Sequence, residues 1–292
     1  MRVLIIGASG FVGSRLQAAF LGNCVGTYCT HAVPGLHPLD VRDADAVRRF
    51  IADLTPNLIF HPAAQAHVDW CETHVSESFE VNVRGVRNVA QAAREVGARY
   101  VYFSSDYVFN GAAGPYAEGA TPDPLNVYGR HKLEAESIIV KCLDNHLIVR
   151  VCGVYGYQRD GKNFVMSLLD RGRRGELMNV PCDQWGTPTY ADNLAAVVKE
   201  LALSIHRGVF HVVGPECMDR MAFARLACAV FGLDPGFLRP CGTEELRQAA
   251  PRPLRGGLVA AKVGALLTIP LLGPHQGLEL MKRQMVREDL TQ

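Results

Sequence analysis

An α/β fold, with a doubly wound parallel sheet and a smaller C-terminal α/β domain, is predicted by three features of the sequence. Short β-branched or aromatic runs alternate with longer helical patterns through the first half, a glycine-rich turn follows the first run directly, and beyond about Tyr157 the alternation loosens. The runs are RVLII (2–6), CVGTY (24–28), NLIFHPA (57–63), RYVYFSS (99–105) and HLIVRVCGV (146–154), with helical patterns over 13–20, 44–54, 77–96 and 126–143. Strand then helix, repeated, is the sequence form of right-handed βαβ crossovers. Each run is continuously apolar, as strands covered by helices on both faces require.

In the second half, 163–173 reads as helix and VPCDQWGTPTY (180–190) as irregular. Helix over 191–203, strand over 208–214 and helix over 221–231 follow. The domain boundary is placed after residue 158: residues 1–158 form the first domain, to which 187–213 returns, and 159–292 form the second, laid across the carboxyl edge of the sheet. No internal repeat or low-complexity segment is visible.

Composition narrows the function. With 292 residues, 48% of them hydrophobic, and a net charge of +1 without any run of five like charges, the chain has a substantial core and lacks the basic stripe of a nucleic-acid binder. Small-molecule chemistry is the better expectation. Nine cysteines without a Cys-x-x-Cys pair suit a reducing, cytoplasmic setting. The first apolar run is too short for a signal peptide, and the stretch 257–273, interrupted by Lys262 and Pro270, is too short for a membrane span. His61, His67, Cys71 and His74 lie near one another without the spacing of a closed zinc site, so no metal is expected.

GASGFVG, with Gly7, Ser9, Gly10, Phe11, Val12 and Gly13, follows the first strand and opens a helix. Glycines there permit a tight turn and close backbone approach, and free N–H groups with the helix dipole attract a pyrophosphate. The first domain therefore reads as dinucleotide-binding, a Rossmann unit. The Gly-x-x-Gly-x-x-Gly spacing resembles that of extended short-chain dehydrogenases. After the second strand, Tyr28, Cys29, Thr30 and His31 stand where an acidic residue would bind the ribose of NAD. With no carboxylate to repel a 2′-phosphate, NADP(H) is preferred; with no arginine beside it, NAD(H) stays open. The resemblance also implies that Asp40 and Val41 lie beside the adenine and that Ala63 and Ala64 lie beside the pyrophosphate and ribose.

The helix over 126–143 carries Tyr128 and Lys132 on the side of its apolar stripe, Ala135, Ile138, Ile139 and Cys142. A lysine there either snorkels to solvent or has a task. Ser105 ends the fourth strand, where open sheets place ligands. Together Ser105, Tyr128 and Lys132 make a Ser/Tyr/Lys hydride-transfer set. A phenol of pKa about 10 exchanges protons poorly at neutral pH, and an ammonium one turn away is expected to lower it. The same lysine can reach the ribose hydroxyls of the cofactor. His131, between them, is expected to point away into solvent.

SSDYVFNG (104–111), PYAE (115–118), PLNVYGRHKLEAE (124–136), NFV (163–165) and DQWGTPTY (183–190) together resemble the dTDP-4-dehydrorhamnose reductase family, which also includes the regulatory β-subunit of methionine adenosyltransferase. The resemblance implies a nucleotide-activated 4-keto-6-deoxy sugar as substrate, Tyr128 as proton donor, a homodimer, and substrate contacts from Val68, Asp106, Tyr107, Asn163, Trp185 and Arg252. Two departures stand out. The family's Arg-Thr-Ser-Trp-Val-Tyr run reads RVCGVY at 150–155, so Gly153 replaces the tryptophan beside the sugar, and Trp185 or Trp70 either supplies another flat surface or packs internally. The arginines of APRPLRGG (250–257) either meet a diphosphate or face water. Asp106-Tyr107, where a 4,6-dehydratase would have Asp-Glu, disfavours dehydration, and no cysteine between Cys71 and Cys142 supports a fucose-synthase-type epimerase. A non-catalytic NADP-binding subunit of a synthetase, or another extended short-chain sugar reductase or epimerase, stays open as an alternative.

Overall fold

Among the described residues thirteen strands order the chain: Val3–Ile5 (β1), Val25–Tyr28 (β2), His37–Pro38 (β3), Leu58–His61 (β4), Arg99–Ser105 (β5), His146–Val151 (β6), Val154–Tyr155 (β7), Met178–Pro181 (β8), Trp185–Gly186 (β9), Thr189–Tyr190 (β10), Gly208–His211 (β11), Met218–Asp219 (β12) and Leu238–Cys241 (β13). The computed structural model describes residues 1–159, 161 and 163–290. Seven strands form one parallel sheet in the order β11-β6-β5-β4-β1-β2-β3. Strand order reverses between β1 and β4, which opens a crevice at their carboxyl ends. The sequence did not reveal β3, two exposed residues at the sheet edge.

Among the described residues there are eleven α-helices: Phe11–Ala19 (α1), Ala44–Leu54 (α2), Val68–Thr73 (α3), Val75–Phe79 (α4), Gly85–Glu95 (α5), Val127–Cys142 (α6), Phe164–Arg174 (α7), Ala191–Leu203 (α8), Arg220–Phe231 (α9), Ala261–Gly264 (α10) and Pro274–Leu290 (α11). The helix expected over 77–96 is broken by a π-helical turn, Glu80–Arg84, between α4 and α5. Alternate residues of β1 serve the two sides of the sheet: Val3 and Ile5 meet the core under α1 and α8, whereas Leu4 and Ile6 meet the core under α2, α5 and α6. On α2, Val47 and Ile51 are one turn apart and fully buried, and the Asp43 side chain caps the helix by accepting from Ala46 N at 2.9 Å.

The strand expected over 146–154 ends early. Gly153 adopts φ +52, the chain turns there, and β7 leaves the main sheet to pair with β10. A separate core joins α7, α9, α11 and β8 around Leu168, Val180, Phe223, Ala227, Leu278 and Met281. The apolar stretch 257–273 holds only the short α10; Val263 is buried against the α1/α8 core, and Leu267, Ile269 and Leu271 pack beside it. Among the described residues no helix is long and apolar enough to cross a membrane.

Candidate active site

A cleft of about 1320 Å³ runs along the carboxyl ends of the sheet and is closed on its far side by residues from 163–164, 184–188 and 218–223. At one end lies the glycine turn. Gly7 has φ +85, and a Cβ there would stand 2.8 Å from the Ala63 side chain; a Cβ on Gly13 would stand 2.1 Å from the Gly7 carbonyl oxygen. A side chain at Gly7 would push the turn away from Ala63, and one at Gly13 would push it away from α1. Gly10 caps α1 without any side-chain hydrogen bond, so the first amides of the helix are open to the cleft. A pyrophosphate fits this cradle, and Ser9, Gly10, Phe11, Val12, Ala63 and Ala64 all line it.

The adenosine end differs from the expectation. Thr30, His31, Asp40 and Val41 line the cleft, but the Asp40 carboxylate is taken by Arg42, whose Nε lies 2.9 Å from Oδ1 and 3.0 Å from Oδ2. That hydrogen bonding holds the Asp40 carboxyl below its usual range. Arg42 itself lines the cleft, so an arginine does stand at this end; it arrives from beyond β3, not from the residues after β2, and sequence reasoning missed it.

Ser105, Tyr128 and Lys132 converge at the middle. Ser105 ends β5, donates from Oγ to Asp106 Oδ1 at 3.0 Å and accepts from Tyr107 N at 3.2 Å. Asn126 caps α6 by accepting from Gly129 N at 2.8 Å, and a Cβ on Gly129 would stand 2.1 Å from the Tyr107 carbonyl oxygen. The helix start is thereby pressed against the turn after Ser105, and the Ser105 hydroxyl lowers the Tyr128 phenol against larger opposing effects. Lys132 does not snorkel: it is 3% exposed, donates from Nζ to Phe103 O at 2.8 Å, and lies 5.7 Å from the Tyr128 ring centre.

The electrostatics correct one expectation. Burial, followed by the Asp106 carboxylate, raises the Tyr128 phenol well above its ordinary value, and Lys132 does not offset them. Burial pushes Lys132 itself down to about 8, against the opposing pull of Glu136. Glu136, one turn further along α6, accepts from Ser104 Oγ and from Arg150 Nε and Nη2, a buried network that the sequence did not disclose. His131 is likewise corrected: it is buried, with Nδ1 2.9 Å from Ser78 Oγ and its ring edge-on to Phe79.

On the substrate side, Val68, Asp106, Tyr107, Asn163 and Trp185 line the cleft. Arg252 does not. Its guanidinium donates to Asp69 Oδ2 at 2.7 Å and to Ala250 O at 2.7 Å, holding the 250–253 segment to α3. Asn163 is structurally committed, accepting from Met166 N as cap of α7 and donating to Gly156 O at 2.9 Å. Trp70 lines the cleft with its ring stacked on His74 at 4.4 Å, and Trp185 is 45% exposed. Gly153 leaves open space: a Cβ there meets nothing nearer than 3.7 Å. Burial raises the Asp106 carboxyl, with the Cys152 thiol and the Ser105 hydroxyl acting in the opposite direction. Cys152 and Arg220 line the cleft too and were not read from the sequence. Among the described residues no cluster of three or more His, Cys, Asp or Glu side chains is placed to hold a metal.

Comparison with known proteins gives a consistent picture. Residues 1–286 match the RmlD substrate binding domain family. The chain is 33% identical over 274 residues to methionine adenosyltransferase 2 subunit beta of Xenopus tropicalis, covering 90% of this chain and 81% of that protein. It is 34% identical over 230 residues to dTDP-4-dehydrorhamnose reductase of Aggregatibacter actinomycetemcomitans, covering 76% of each. A solved dTDP-4-dehydrorhamnose reductase of Bacillus anthracis, in complex with NADP, superposes with a TM-score of 0.86 at 29% identity, over 97% of this chain and 99% of that one.

Proposed function

The chain belongs to the RmlD substrate binding domain family, and from that premise we propose that it is an NADP(H)-preferring reductase of a nucleotide-activated 4-keto-6-deoxy sugar, with NAD(H) as a possible second cofactor. The observation that carries this reading is the convergence of Ser105, Tyr128 and Lys132 beside the glycine turn, at the carboxyl ends of the strands. When bound, NADP(H) supplies the hydride. The amides at the start of α1 would hold its pyrophosphate, and Arg42 with Thr30 and His31 would face its adenosine end. Ser105 orients the keto oxygen, Tyr128 delivers the proton, and the Lys132 ammonium holds the ribose and stabilises the phenolate that this transfer leaves. Oxidation of NADPH by the purified protein with dTDP-4-keto-6-deoxy sugars tests the reading; NADPH bound but not oxidised by any such sugar would overturn it.

One observation favours a second reading. Gly153 stands where the family's reductases carry tryptophan, and the relatives include a methionine adenosyltransferase subunit. A non-catalytic NADP-binding subunit would keep the cofactor end and lose the sugar end, and co-purification with a synthetase would distinguish it.

The same premise supports residues 1–158 as the cofactor domain, with β11 joining its sheet, residues 159–292 as the substrate domain, and a homodimer by family precedent. Nine free cysteines support a cytoplasmic setting.

A further inference from the structure

We propose that Arg220 is an anion-binding residue of the substrate pocket and takes a phosphate oxygen of the substrate's diphosphate. The inference rests on the nucleotide-sugar reading above and adds the group that would recognise the nucleotide half.

Among the described residues four basic side chains line the cleft: His31, Arg42, Lys132 and Arg220. His31 and Arg42 lie at the adenosine end, where Arg42 is bound to Asp40. Lys132 is buried beneath Tyr128 and donates to Phe103 O. None of these serves the far wall. Arg220 stands on that wall, its guanidinium lying over the Phe164 ring at 5.0 Å. Among the described residues no carboxylate forms an ion pair with it. The adjacent Asp219 accepts from Ala222 N at 2.8 Å as cap of α9.

Stacking on a ring fixes the plane of a guanidinium and leaves its N–H edge free for a planar or tetrahedral oxyanion. The backbone fixes its origin, since Arg220 N donates to Gln184 O at 2.9 Å and β12 pairs Asp219 with Trp185. Its charge reaches the reacting end, where it lowers both Asp106 and Tyr107 against larger opposing effects. A guanidinium without an ion-pair partner among the described residues, on the same cleft wall as the half-exposed Trp185, offers what a nucleoside diphosphate asks of a wall: charge for the phosphates and a flat apolar face for the ring.

Calorimetric titration of the full chain with dTDP, with thymidine and NADPH as controls, tests the inference. Arg220→Met is expected to weaken dTDP binding about ten- to hundredfold, the loss of a charge-assisted hydrogen bond, while thymidine and NADPH binding stay as in the parent. Arg220→Lys, which keeps the charge without the fork, is expected to fall between. Unchanged dTDP affinity in Arg220→Met would overturn the role of Arg220 and leave the nucleotide-sugar reading standing. A parent protein that binds NADPH but neither dTDP nor another nucleoside diphosphate would overturn that reading, and this inference with it.

Discussion

Arg150 grips Glu136 with both sides of its guanidinium, Nε to Oε1 at 2.9 Å and Nη2 to Oε2 at 2.7 Å, where neither side chain is more than 6% exposed. Ser104, the neighbour of Ser105, donates to the same carboxylate. One anion thus ties α6, which carries Tyr128 and Lys132, to β5 and β6. It is also the strongest influence opposing the desolvation of Lys132. Removing its charge is therefore expected to act on Lys132 as well as on stability.

Glu136→Gln is expected to destabilise the fold by about 3–5 kcal/mol, because Arg150 is left buried and unpaired. The double variant Glu136→Leu with Arg150→Met removes both charges and is expected to recover most of that loss. Chemical denaturation of the three proteins checks this; a single variant as stable as the parent would contradict it.

On the proposed mechanism the charged form of Lys132 is the useful one, and its value of about 8 is expected to set a falling limb in rate above that pH. Glu136→Gln withdraws a stabilising negative charge, so the limb is expected to move to lower pH by about one unit. Tyr128→Phe is expected to lower kcat by about 10²–10⁴-fold with NADPH affinity preserved, since only the proton donor is lost. A pH–rate series with parallel cofactor titration separates the two effects.

The inner strands of the sheet were legible because they are buried on both faces and read as unbroken apolar runs; β4 and β5 appear where NLIFHPA and RYVYFSS stand. The helix α11 was not read, because only Leu278, Met281 and Met285 of its buried side carry the pattern amid polar neighbours. Within the candidate site, Ser105, Tyr128 and Lys132 were found by motif. Glu136 and Arg150 were missed, because a charged side chain within a helix or strand reads as a solvent-facing one until tertiary pairing buries it. Arg42 was missed because an arginine was sought directly after β2, whereas this one follows Asp40 and Val41 beyond β3, and Arg220 was missed because it enters the cleft from a segment distant in sequence from the motifs that mark it.

Cofactor choice is expected to depend on Arg42. Its guanidinium is engaged by Asp40 at the adenosine end, so Asp40→Asn frees a cation there and is expected to raise preference for NADPH over NADH. Arg42→Ala is expected to reduce that preference by about tenfold, the loss of a charge-assisted phosphate contact. Fluorescence titration with both nucleotides reads the ratio directly, and an unchanged ratio in both variants would remove Arg42 from the cofactor site.

Acid should unfold this protein through two buried histidines. His61, with Nδ1 2.5 Å from Tyr100 Oη, is pushed down to about 3 by burial and then by the charge of Lys132. His211 is pushed down to about 4, again chiefly by burial. Both folded values lie below the unfolded value of 6.5, so the unfolded chain takes up protons first as pH falls. Their neutral burial therefore leaves stability intact above about 6.5 and erodes it below, down to each folded value. At pH 5 the loss is about 2 kcal/mol for each histidine. Thermal unfolding followed from pH 7.5 to pH 5 should show a progressive fall in Tm, shallower in His61→Gln, where one of the two proton sinks is gone. Parallel curves for the parent and His61→Gln would mean that His61 is not held neutral in the fold.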